Sequence, residues 1–303
     1  MAYQVNSTGN RVVLNVLANC GKSVVGLKIA NSEIISMNYL DLYSLVISLL
    51  GEREINNFIL YLLKYHTLPI QREDGTRDDT IIVMETIEDT EQVCLEPNSI
   101  LDALKFYQAA DIFSCYSLSY QVIDGKLKSG GMLKMLLREH AIYWPVKTYE
   151  MTDESKISFY TWYKSHDIIY GARYNIKFNQ MVRLYLDSYL LNDSSQSFIM
   201  LTIVLEMLFG STAELTYRIS RGVGMFLSNN REEMRKIVIS VKRLYNLRSK
   251  YVHEGKRIPW DELFELREIV RKTIVLMYER EMYSPKFNFK FFAEEITYEG
   301  YLK

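Results

Sequence analysis

Cysteine is scarce in this chain of 303 residues, and the three present, Cys20, Cys94 and Cys115, lie far apart with no Cys-x-x-Cys pair. That spacing excludes a disulfide framework and a cysteine-built zinc site, and it points to a reducing compartment. Histidine is nearly as sparse: His66, His140, His166 and His253 stand at no metal-ligand spacing from one another, so neither a metal nor any other cofactor is expected. The longest clean apolar run, "FIMLTIVLEMLF" at 198–209, would span only about 18 Å as a helix and contains a glutamate. A bilayer needs about 20 apolar residues, so a buried core helix is expected there. The N-terminal "MAYQVNSTGNR" has neither the basic start nor the apolar centre of a secretory leader. A cytoplasmic protein without membrane association is the expectation.

Familiar catalytic signatures are also missing. There is no Gly-x-Ser-x-Gly, no His-Glu-x-x-His and no paired-carboxylate pattern. "ANCGKS" at 18–23 ends like a phosphate-binding loop, but Val16 stands where the first glycine belongs, and a β-branched run follows in place of a helix.

What is present is a globular composition, 48% apolar and 24% charged, with an uneven distribution of charge. Residues 216–257 hold eleven Lys or Arg against three Glu, a local balance of +8 inside a chain of net charge −1. Such a segment is either a footprint for a polyanion or a solvated face balanced by nearby carboxylates.

The two halves differ in pattern. "RVVLNVLA", "SVVGLKIANSEIISM" and "TIIVMETI" are rich in β-branched residues and predict strands. "INNFILYLLKYH" at 55–66 and "SILDALKFYQAA", with Ser99 as N-cap, have helical spacing. "REDGTRDD" marks a break, and the Asp-Gly of "YQVIDGKLK" predicts a hairpin. Beyond about residue 170 helical periodicity dominates. Helices are expected over 179–191, 196–209, 214–227, 231–247 and 260–281, with Pro259 suited to the first turn of the last. The predicted fold class is α+β: a mixed α/β region of unknown role, 1–168, and an all-α bundle with a tail, 169–303.

One helix carries the chemistry. Met234, Val238, Val241, Tyr245, Arg248 and Val252 step by four and three, an apolar stripe interrupted only by Arg248. A guanidinium on an inward face needs a partner or a cleft. Glu206, alone in its apolar run, is the natural partner, and a structural ion pair locking two helices would satisfy both. His253 follows Arg248 by five residues, so the two lie roughly 140° apart around the axis and do not share a face. Ser249 and His253, about 40° apart, do. Arginine can hold a phosphate bidentately and histidine can move protons near neutral pH. Together these capacities suffice for metal-free RNA cleavage: the 2′-OH attacks the adjacent phosphorus, Arg248 stabilises the oxyanion, and His253 serves as base or acid. Arg235, Lys242, Arg243 and Lys250 are the expected contacts to the RNA backbone.

"LEMLFG" at 205–210, "ELTYRISRGVGMFL" at 214–227 and "LYNLRSKYVHEG" at 244–255 resemble the HEPN family, and within it the Apea-like branch. The resemblance covers roughly 120 residues of the C-terminal half. It implies a dimerising bundle of four or five helices whose Arg-x4-His motif, here Arg248 and His253, meets its twin across the interface. It further implies endoribonuclease activity in antiphage defence or toxin-like growth arrest, with Glu206 as an accompanying acid and an inhibitor, antitoxin or activator as a possible partner. Ser249 replaces the Asn, Asp or His of many nucleolytic members. The alternative is therefore a non-catalytic HEPN module that binds nucleotides, RNA or protein.

Overall fold

The β-branched run Arg11–Ala18 (β1) is the inner strand on which a six-stranded antiparallel sheet is built. The computed structural model describes residues 11–50, 80–87, 99–123, 126–135, 148–191, 193–210 and 214–298. β2 (Lys28–Ile29), β3 (Ser32–Met37), β4 (Thr80–Ile87), β5 (Phe113–Ile123) and β6 (Lys126–Met135) complete the sheet in the order β2-β3-β4-β1-β5-β6. Alternation along the strands sends Val12, Leu14, Val16 and Ala18 to one face. There they join Ile35, Met37, Ile82, Phe113, Leu118 and Tyr120 against Leu42, Val46 and Leu49 of α1 (Tyr39–Leu50). On the other face Val13 lies opposite both Glu85 and Ser119, and Ser117 donates to Asn15 Oδ1 at 2.5 Å.

The expected single strand at 23–37 is broken in two. Lys22–Val24 forms a 3-10 turn, Gly26 takes φ 86°, and Ala30 at φ 49° closes the β2–β3 hairpin. β-propensity ran on through a glycine whose left-handed backbone interrupts the strand. β5 and β6 pair with Ile123 opposite Lys126. The Asp-Gly turn between them, the expected helix at 55–66, the break at 72–79, His66 and His140 lie outside the described residues.

α2 (Ser99–Tyr107) begins at Ser99 itself. The remaining helices among the described residues are α3 (Asp153–Ser165), α4 (Ile168–Gly171), α5 (Ile176–Asp187), α6 (Ser194–Phe209), α7 (Leu215–Leu227), α8 (Arg231–Glu254), α9 (Trp260–Glu279) and α10 (Phe289–Tyr298). The chain is α+β, a sheet region followed by a helical region. Two compact units divide it: Met1–Leu104 with Ala110–Phe159, and Lys105–Ala109 with Tyr160–Lys303.

Caps set the helix starts. Asn175 Oδ1 accepts from the N–H groups of Lys177 and Phe178, at 3.0 and 3.1 Å, so α5 starts earlier than its apolar spacing predicts. Asp193 accepts from Gln196 N at 2.9 Å and starts α6 at Ser194. α8 runs on past 247 to Glu254, where Gly255 ends it in a left-handed conformation at φ 70°. Pro259 stands at the N-cap of α9. α1, α3, α4 and α10 escaped the periodicity reading; in α3 only Phe159 is fully buried, which leaves a weak apolar stripe.

α6 is the central helix of the second unit and packs on α5, α7, α8, α9 and α10. α7 approaches closely through two glycines. A Cβ on Gly222 would sit 2.5 Å from the Phe209 ring, and one on Gly224 would sit 2.6 Å from Val238 Cγ2 and 3.2 Å from the Met234 carbonyl oxygen. The segment Lys105–Ala109 closes the other side. Phe106 is buried with its ring 5.0 Å from Tyr185, Tyr185 Oη donates to the Lys105 carbonyl at 2.7 Å, and Arg271 donates to the Phe106 and Tyr107 carbonyls at 2.7 and 3.1 Å.

The contact at Gly224 generates a test. Gly224→Ala gains helix propensity but overpacks the branched Val238 side chain, and the net loss should be about 1–2 kcal/mol. Urea unfolding of the purified protein measures it.

Candidate functional site

Both ends of α6 grip the segment that carries the motif. At its start Ser194 Oγ donates to the Ile258 carbonyl at 2.5 Å, while Ser195 Oγ accepts from Ile258 N at 2.9 Å, which fixes the chain just beyond α8. Near its end Glu206 faces α8. Oε1 of Glu206 accepts a hydrogen bond from the Tyr245 hydroxyl and lies 3.5 Å from Nη2 of Arg248. Tyr245 precedes Arg248 by three positions, so both point from α8 toward α6. Burial pushes the Tyr245 hydroxyl far above the usual tyrosine range; Glu206 adds to the shift and Arg248 opposes it. The hydroxyl therefore remains a donor at any working pH.

The pair is not deeply buried. The side chains of Arg248 and Glu206 are 29% and 25% exposed, so they line an edge that solvent reaches, and the expected inward ion pair becomes a half-open one. Nε of Arg248 is nonetheless shielded and has no hydrogen-bond partner. A guanidinium held by one loose carboxylate and still partly open to solvent can take a second anion through its exposed edge.

The rest of the motif faces elsewhere. The apolar stripe leaves the core after Arg248: Val252 is 50% exposed, and Ser249, Lys250 and His253 are exposed as well. No hydrogen bond or ion pair joins Arg248 to His253 among the described residues, as their separation around the axis demands. Lys256 beside Glu254 holds that carboxyl below the usual range, with Lys250 and His253 contributing.

The basic segment is partly compensated. Arg243 is bound by Glu262 and Glu265 of α9, Lys236 by Glu232 at 2.8 Å, and Lys256 by Glu254 at 2.6 Å. Arg235, Lys242 and Lys250 are exposed and form no ion pair among the described residues. The backbone-binding set predicted from sequence thus divides: Arg243 has protein carboxylates as partners, and the other three face solvent. His166 has a separate environment. Its ring stacks on Trp162 at 4.7 Å, and its nitrogens face the Trp162 carbonyl and Glu279 Oε1 at 2.9 and 3.1 Å.

Tyr245 is the site residue that sequence reasoning missed. It stood in the stripe as one more apolar position, although a buried tyrosine needs a partner for its hydroxyl. The lone carboxylate of α6 was the available one.

No family model, curated protein or solved structure matches the chain.

Partial exposure lowers the expected cost of breaking the pair. Arg248→Ala leaves Glu206 with its Tyr245 bond and access to water, so the loss of stability should be about 1 kcal/mol. Denaturant unfolding measures it; a loss near that of a fully buried orphaned charge, about 3–5 kcal/mol, would contradict this geometry.

Proposed function

We propose that this chain is a metal-independent endoribonuclease of the HEPN type, in the Apea-like branch, acting in the cytoplasm in antiphage defence or toxin-like growth arrest. The observation that carries the reading is Arg248: a half-exposed guanidinium with an orphaned Nε, held loosely by Glu206, five residues before an exposed histidine on the same helix.

In the proposed reaction His253 takes the proton of a ribose 2′-OH as the oxygen attacks the adjacent phosphorus. Arg248 stabilises the charge on the phosphoryl oxygens, and the leaving 5′-oxygen takes a proton from the imidazolium or from water as its bond breaks. The products are a 2′,3′-cyclic phosphate and a 5′-hydroxyl. Arg248 and His253 point apart on one helix, so the reading requires a homodimer in which each motif faces its twin. An interface of about 1,600 Å² or more would hold it together at micromolar concentration. Arg235, Lys242 and Lys250 would follow the RNA backbone; Arg243, already paired, would contribute least. An inhibitor, antitoxin or activator would complete the system.

The second reading, a non-catalytic HEPN module for nucleotide, RNA or protein binding, draws support from the ion pair of Arg248 with Glu206 and from Ser249 at the polar position.

Incubation of the pure protein with total RNA in EDTA separates the two. Cleavage with cyclic phosphate ends, sparing DNA of the same sequence, is expected; intact RNA sinks the nuclease reading. His253→Ala should abolish cleavage with an unchanged melting temperature, because the imidazole lies outside the core. Mixing wild type with excess His253→Ala, once subunits have exchanged, should poison activity more than in proportion.

RNA binding should weaken steeply with salt, each neutralised phosphate on a single strand releasing about 0.7 counterion. Reversing Arg235, Lys242 and Lys250 should flatten the slope, while reversing Arg243 should lower stability more than it changes the slope. Filter binding across a salt series checks both, and a flat wild-type slope would reduce these charges to a solvated face.

A further inference from the structure

We infer that Tyr245 is a positioning residue: by holding Glu206 it keeps Arg248 available to an incoming oxyanion. The inference rests on the reading of Arg248 as a phosphate-binding group, and it adds a residue to which the motif itself gives no role.

Two donors compete for one oxygen. Oε1 of Glu206 accepts from the Tyr245 hydroxyl and also faces Nη2 of Arg248, at 3.5 Å. That separation is well beyond the 2.7–2.9 Å of a tight charge-assisted bond. The tyrosine bond is the closer of the two, and the guanidinium keeps an unpartnered Nε. With the hydroxyl in place, Glu206 has a neutral donor that satisfies it without drawing on the cation. Remove the hydroxyl, and Arg248 is the nearest side-chain donor left to the carboxylate, with only water to compete. The pair closes, and the guanidinium is withdrawn from the ligand. Tyr245 is only 5% exposed and its ring also packs in the core, so the hydroxyl must be separated from the ring.

Tyr245→Phe makes that separation. The first readout is stabilisation by about 10 mM inorganic phosphate in a thermal melt, taken as the part lost in Arg248→Ala. Wild type should show this Arg248-dependent rise, Tyr245→Phe should lose most of it, and adding Glu206→Gln should restore it by removing the competing charge. A purely structural role for Tyr245 predicts a lower melting temperature with no restoration. Retention of the full rise in Tyr245→Phe, or no Arg248-dependent rise in wild type, overturns the inference. Should Tyr245→Phe fail to fold, Glu206→Gln alone must enlarge the rise, and an unchanged rise overturns the inference equally.

The second readout is cleavage. Tyr245→Phe should lower kcat about tenfold with KM within about twofold, because other contacts hold the RNA while Arg248 acts on the developing charge. If wild type cleaves no RNA yet the phosphate rise depends on Tyr245, the nuclease reading fails and the positioning role stands.

Discussion

The helical unit depends on the burial of α6. Ten of its sixteen residues are buried, and packing on five neighbouring helices leaves few places where a polar group can be satisfied. Its buried polar side chains are accordingly committed. Ser197 and Thr202 bond back to the carbonyls of Asp193 and Ile199, and Ser194 and Ser195 bracket Ile258. Glu206, its only charged residue, lies where the bundle opens toward solvent. The position of the candidate site follows from this constraint. A carboxylate on such a helix is tolerable only at the rim and only with partners, and the partners come from α8.

The electrostatics of α8 follow from the same division between packed and open surface. Where α8 meets α9, Arg243 finds Glu262 and Glu265, and its charge serves the bundle. Toward the end of the helix, Lys250 and His253 are exposed to solvent. Counting Lys and Arg along the sequence treats these residues as equal. Packing separates them into those already neutralised and those able to attract a polyanion.

The sequence made much of this legible. β1 and β4 occupy the residues that β-branching predicted, because inner strands are shaped by the burial of both faces. The helices α5 to α9 were visible in their apolar spacing, with start points displaced by caps at Asn175 and Asp193, while α10 was not. The Glu206–Arg248 contact could be anticipated because each residue was an anomaly in an apolar stripe. Its depth could not be, since a stripe says which way a residue points and nothing of where the neighbouring helix stops. Tyr245 shows a related blindness: an aromatic at a core position carries no mark of whether its hydroxyl has work. The hairpin hidden in 23–37 turned on the backbone of Gly26 and Ala30, which side-chain propensity does not encode.

The segment Lys105–Ala109 gives the helical unit a history as well as a shape. It is the part of that unit nearest the N-terminus, yet the guanidinium that binds its carbonyls belongs to Arg271, more than 160 residues later. During synthesis these five residues leave the ribosome before any of α5 to α9 exist. Their partners Tyr185 and Arg271 follow only after the rest of the sheet unit has been made. The bundle core cannot close around Phe106 until α9 is complete, so this part of its assembly spans half the chain and carries the loop-closure cost of a long-range contact. A ribosome-bound chain truncated before residue 271 would hold most of its helices and lack the cation that seals them.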